Sequence, residues 1–343
     1  MITRGRWIHA PRTDAVLAWM WLPLFLIVRA CEGHGNLVPT LMGIGFVISF
    51  AHQPLTNGLV YGDAEQFRRH RTMYLVAPVL FAVLVTVGMM WSLTAVAIVA
   101  ALWNAEHTLM QRYGLTRIYG RKAGDDLGGL EKAMYCSWLV FALLWLPSFV
   151  DLPAMADNLG FGARNKRGLE VLYDLRGLAR VLLAVGAVVA LVLTVRWLLA
   201  QRRLSPAQRS LPKYLFVIAT FGLLVAVMID PAAGFVAYIS AHALEYFVIV
   251  HASVRKRAGS GDPAPVIRAV RTTGRRAAVY GAYLTLVVLL PVVTIHWLDG
   301  NFYAWLVLFF GGLHVFYDGF VWKLRRPATA ASLGIPAAAG APA

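Results

Sequence analysis

A chain of 343 residues that is 59% hydrophobic and only 14% charged, with a mean hydropathy of +0.63, is not a water-soluble globular domain, in which about a quarter of the residues carry charge. Its two cysteines, Cys31 and Cys136, exclude a disulfide framework and a cysteine zinc cluster. The net charge of +15 would suit nucleic acid, but the placement of the basic residues argues for another origin.

Apolar runs long enough to cross about 30 Å of hydrocarbon lie near 14–30, 37–58, 73–91, 92–114, 130–150, 177–200, 211–230, 231–254, 277–298 and 302–323. They predict an all-α, polytopic transmembrane bundle of about ten spans, forming one integral membrane domain over 1–327. The first run follows the basic stretch MITRGRWIHAPR, as a signal peptide would. Arg29, Cys31 and Glu32 come next instead of a small-residue cleavage site, so it reads as a retained span. With the N-terminus inside, the cytoplasmic segments hold 26 of the 32 Lys and Arg residues, leaving six outside: Arg29, Arg164, Lys166, Arg167, Arg176 and Arg180. The reverse orientation contradicts the positive-inside rule. Both termini are therefore expected in the cytoplasm, the membrane is the inner (cell) membrane, and no nucleic-acid partner is needed to explain the charge. Reporter fusions after His70, Gly120, Ser205 and Ser260 should all report the cytoplasmic side, and an external signal at either of the last two would overturn the ten-span arrangement.

Three connections are distinctive. Residues 151–176 form the only long outer loop, expected to carry a short interfacial helix. Residues 258–274 read as a flexible cytoplasmic connection with a basic amphipathic end. The low-complexity tail 328–343 is expected to be disordered.

Polar residues are concentrated in four spans. Spans 1, 3, 5, 6, 7 and 9 are almost purely apolar, whereas spans 2, 4, 8 and 10 carry His52, His107, His242 with His251, and His314. All four run from outside to inside, so their imidazoles lie at similar depth and can converge. At 100° per residue Asn104, His107 and Gln111 share a face, as do Tyr238, His242, Glu245 and Tyr246, and His314 has Asp318 one turn on. Pro54 should interrupt span 2 just after His52. Ionisable groups in a bilayer need partners, which makes Glu106, Glu245 and Asp318 candidates for second-shell or acid–base roles beside Gln111 and Tyr246. Imidazole is the commonest transition-metal ligand, and several imidazoles with carboxylates around open positions suit non-haem iron or a similar metal. Structural readings compete: a single membrane histidine is more often an interhelical hydrogen bond, Trp91, Trp297 and Trp322 are ordinary interfacial aromatics, Gly311-Gly312 suits close helix packing, and the Arg and Lys that end the spans are anchors. His9, His34, His70 and His296 lie in termini, loops or at the outer edge.

These motifs resemble the Brp/Blh-type bacterial carotene-cleaving membrane dioxygenases. The similarity lies in His314-Val-Phe-Tyr-Asp318 followed by Trp322-Lys323, and in Tyr246-Phe247-Val-Ile-Val-His251 leading to Arg255. His107-x-x-x-Gln111 and His52-x-x-x-Thr56 stand at the other two motif positions, with Gln111 and Thr56 where that family has aspartate and Arg255 where it has a second histidine. The resemblance implies a helix-borne iron site and an apolar substrate. The expectation is a metal-dependent membrane oxygenase or related oxidoreductase, with Fe(II), or another transition metal, on His52, His107, His242 or His251, and His314. Its partners would be membrane lipid and an apolar lipid or isoprenoid substrate. Two other readings use the same residues: a haem b electron carrier with two axial histidines, and a proton-coupled transporter. His242 and His251 are nine residues apart, about 900° of rotation and about 13.5 Å of rise, so one regular helix cannot aim both at one metal. Depth favours His242 and the resemblance favours His251.

Overall fold

The computed structural model describes residues 7–154, 170, 173–294, 300–323, 327–333 and 335. Among them the chain is almost entirely helical: α1 (Pro11–Trp19), α2 (Trp21–Ala30), α3 (Leu37–Tyr61), α4 (Ala64–Arg69), α5 (Arg71–Lys122), α6 (Gly128–Phe149), α7 (Arg176–Arg203), α8 (Leu211–Ile229), α9 (Pro231–Gly259), α10 (Pro265–Ala269), α11 (Thr273–Val293), α12 (Gly300–Val321) and α13 (Pro327–Ser332). Nine helical segments among these residues are long and apolar enough to cross a membrane, counting α1–α2 as one. Their surfaces are apolar in the way only lipid solvates. On α7 the exposed side chains include Val181, Val185, Val188 and Val192, and on α11 Leu284, Val288 and Val292, each a stripe at helical spacing turned outward rather than to a core. The protein is a multi-pass helical membrane protein.

The nine segments accommodate the ten expected spans because α5, at 52 residues, departs from helical geometry at Ser92 (φ −164°, ψ 106°). A Cβ on Gly88 would stand 2.5 Å from the Val96 side chain, so the chain doubles back there. Ser92 Oγ accepts from the Ala95 N–H at 3.2 Å and caps the returning arm. Pro54 does not end α3 as expected, and the helix continues to Tyr61. Close to Pro54, the Ala51 carbonyl accepts the Tyr283 hydroxyl at 2.5 Å.

The fold divides into two compact units. Unit 1 is 1–45 with 105–242, and unit 2 is 46–104 with 243–343. In unit 1, α6 lies along α7 over the longest packed interface, and Trp21, Leu109, Met134, Tyr135, Leu223 and Tyr238 share its core. Asp230 breaks α8 from α9 in extended geometry, accepts from the Ala233 N–H at 3.1 Å and pairs with Arg29 at 2.7 Å.

In unit 2 the 258–274 connection carries the short helix α10 and packs into the core. Ile267 and Val270 are buried with Leu59, Tyr246 and Val254, which spends the apolar face of the short amphipathic helix on the core. Arg257 holds Asp63 at 2.5 Å and Asp262 at 2.6 Å, and the Val266 N–H donates to the Gly62 carbonyl. We expect Arg257→Met to leave the helices intact and make residues 258–274 severalfold more sensitive to limited proteolysis; an unchanged cleavage rate would show that this latch is idle. At the start of the low-complexity tail α13 is helical, and Leu333 and Ile335 are buried. The interfacial helix expected within 151–176 falls mainly outside the described residues, as does the tail beyond Ile335.

Candidate functional site

In unit 2, α3, α9 and α12 bring five sequence-selected positions together. His52 and Thr56 are one turn apart on α3, His314 and Asp318 one turn apart on α12, and Tyr246 comes from α9; all five are buried. His52 Nε2 and His314 Nε2 are 3.1 Å apart, with ring planes at 89°. Thr56 Oγ1 lies 2.7 Å from His314 Nδ1, 2.5 Å from the Tyr246 hydroxyl and 3.0 Å from Asp318 Oδ1, to which it donates. Tyr246 donates to the same Oδ1 at 2.9 Å and accepts from Trp322 Nε1 at 3.3 Å. Asp318 Oδ2 stands 3.8 Å from His314 Nε2. Nearby, Phe50, Ala51 and Val287 pack with Phe247, Leu306 and Phe310, an apolar wall that makes every polar contact within the cluster more consequential. Gly312 backs onto Phe81, where a Cβ would meet the ring at 2.6 Å, so α12 approaches that closely only without a side chain.

In unit 1, His107 and His242 pair edge to face, ring centroids 5.1 Å apart and both buried. Gln111 Nε2 donates to the His242 carbonyl at 3.2 Å and Tyr238 to the Ala105 carbonyl at 2.7 Å, which ties α5 to α9 around that pair. Glu106, next to His107, faces outward, because adjacent helical residues point about 100° apart. Glu245 is fully buried in unit 2. His251 is exposed against Tyr280, its Nδ1 3.3 Å from the hydroxyl, and α9 is helical throughout, so it does not join His52 and His314.

Two features exceed the sequence reading. Trp322, expected as an interfacial aromatic, hydrogen-bonds the Tyr246 hydroxyl. Two basic residues expected on the cytoplasmic side, Arg117 and Lys213, are buried in unit 1 together with Asp125 and Glu131. Arg117 reaches Asp125 at 3.2 Å and Glu131 at 2.7 Å. Lys213 pairs with both carboxylates, and Trp197 Nε1 donates to Glu131 at 3.2 Å. Burial alone would raise the Asp125 carboxyl, but Lys213, the Leu127 N–H and Arg117 outweigh it and hold it below its ordinary range. The presence of three acids, Asp125, Asp126 and Glu131, among the basic residues of 112–132 was the available signal.

No family model, curated protein or solved structure matches the chain.

Proposed function

We propose that the protein is a membrane-embedded, metal-dependent oxygenase or related oxidoreductase acting on an apolar lipid or isoprenoid, in the cell's inner membrane. The observation that carries this reading is the pair of buried donor contacts made by His314, its Nε2 lying beside His52 Nε2 and beside Asp318 Oδ2. Two nitrogens each about 2.0–2.1 Å from one ion, at angles of about 90–110°, stand about 2.8–3.4 Å apart; here they stand 3.1 Å apart. A nitrogen and a carboxylate oxygen on one ion can be separated by at most about 4.2 Å, against 3.8 Å here. Histidines with a carboxylate around open positions suit non-haem iron or a similar metal. When bound, Fe(II) in such a set supplies O2 activation through those positions. The chain's own residues orient the donors, Tyr246 and Thr56 holding Asp318 and Thr56 holding His314, while the apolar wall excludes water and suits an apolar substrate. His107 and His242 stay in the proposal as imidazole donors of unit 1, and Glu245 as a buried acid.

Haem b suits the unit 2 pair poorly, since opposite axial nitrogens at about 2.0–2.1 Å from one metal stand about 4 Å apart across the macrocycle. A second reading is favoured by the unbroken hydrogen-bond chain from His52 through His314, Thr56 and Asp318 to Tyr246 and Trp322, which is also what a proton-coupled transporter would use. Metal analysis of purified protein, together with O2 uptake in micelles loaded with carotenoids or other isoprenoids, tests the choice. About one iron per unit 2 site and lipid-dependent O2 uptake are expected. Metal-free protein with saturable binding of a small charged solute, uncompeted by lipid, would favour the transporter.

A further inference from the structure

We propose that Thr56 fixes the tautomer of His314, keeping its proton on Nδ1 so that Nε2 presents its lone pair toward His52 and Asp318 Oδ2. The tautomer follows from the hydrogen bonds alone, and its use in metal binding rests on the donor set of the proposed function.

A threonine hydroxyl has one proton and two acceptor lone pairs, whereas a carboxylate only accepts. Thr56 Oγ1 and the Tyr246 hydroxyl both point to Asp318 Oδ1, at 3.0 and 2.9 Å. The two hydroxyl oxygens are 2.5 Å apart, so one proton lies between them and the other goes to Asp318 Oδ1; whichever hydroxyl donates to its neighbour, the Thr56 proton is committed to Tyr246 or to Asp318. Thr56 Oγ1 then has only lone pairs to offer the ring nitrogen 2.7 Å away, and His314 Nδ1 must carry the proton. In a neutral imidazole the other nitrogen is the acceptor, and that atom, Nε2, lies 3.1 Å from His52 Nε2. Metal-binding histidines commonly give their second N–H to a carboxylate or carbonyl, which fixes the ring and raises its basicity. Here a hydroxyl stands between imidazole and carboxylate. Because Thr56 is one turn after His52, α3 supplies both one candidate ligand and the residue that orients the other. Thr56 is a positioning residue that touches no reacting atom.

The test is 15N NMR of metal-free, histidine-labelled protein in micelles at neutral pH, with His314 assigned by its loss in His314→Gln. The wild type should show His314 protonated at Nδ1 alone. Thr56→Val, which keeps the shape and removes the hydroxyl, should move the proton toward Nε2, and Thr56→Ser should restore the wild-type pattern. Titration with Co(II), followed by its absorption bands, should show affinity about 10–100-fold weaker in Thr56→Val and near wild type in Thr56→Ser. Wild-type His314 protonated at Nε2, or at both nitrogens, overturns the proposal without any Thr56 variant having to fold. So does a Thr56→Val protein that keeps both tautomer and Co(II) affinity while His314→Gln loses Co(II); the metal reading then survives alone. A wild type that binds no Co(II) but shows the Nδ1 proton and its displacement in Thr56→Val would remove the metal reading and leave the Thr56 assignment standing.

Discussion

Alanine at His52 or His314 should lower metal affinity at least about 100-fold and abolish lipid-dependent O2 uptake. Either substitution removes a donor outright, whereas loss of a residue that only orients a donor already costs about 10–100-fold. The double variant should carry no metal above background. Asp318→Asn should fall between, since the amide keeps a carbonyl oxygen but loses the charge beside the Thr56 and Tyr246 hydroxyls. His251→Ala and Glu106→Gln serve as internal controls: His251 is exposed against Tyr280 and Glu106 faces outward, so both should stay within a few-fold of wild type. Metal content and O2 uptake in variants matched for expression decide the matter. If His52→Ala and His314→Ala retain full metal and activity, the unit 2 donor set is not the site. A His251→Ala variant that alone loses both would return the ligand to the position favoured by the family resemblance.

The second large effect concerns the buried quartet of unit 1. Lys213→Met should destabilise the protein by about 3–5 kcal/mol, the range for breaking a buried ion pair from one side, because Asp125 and Glu131 would then share Arg117 alone. Adding Asp125→Asn should recover much of that loss, since the quartet returns to balanced charge. Thermal or denaturant unfolding in detergent measures both, and a single variant as stable as wild type would show that water already reaches the cluster. The quartet also sets an acid limit. The folded Asp125 carboxyl titrates below its ordinary range, so the unfolded chain takes up a proton first as pH falls. Its contribution is therefore complete above the ordinary aspartate range and is lost as pH drops through the lowered folded value. Asp125→Asn should flatten that acid limb.

The fold was legible because lipid imposes a simple rule: every backbone polar group must be satisfied within a helix, so long apolar runs declare themselves. The site was legible in part for the same reason. A histidine or an aspartate is conspicuous in a span, and His52, His314 and Asp318 were each selected on that ground, whereas Tyr246 was selected for sharing a helix face with His242. Thr56 was visible only as a motif position, because a hydroxyl is cheap to bury and carries no signal until its three partners are in place. Trp322 was hidden by the frequency of tryptophan at span ends. The Arg117, Asp125, Glu131 and Lys213 cluster escaped because the positive-inside rule explains basic residues near span ends without reference to packing, and it makes Arg117 and Lys213 look solvated. The packing of residues 258–274 escaped for the opposite reason: Gly, Ser and Pro at 259–265 suggest a linker, while two apolar residues, Ile267 and Val270, suffice to dock it.

The reversal at Ser92 has an arithmetic consequence. A chain that crosses a bilayer an odd number of times finishes on the face opposite its start, and one that crosses an even number of times returns. Read as one straight element, α5 gives nine crossings; folded at a single extended residue, with Gly88 admitting Val96, it gives ten. The expectation that both ends share a face therefore rests on one dihedral pair and one missing side chain.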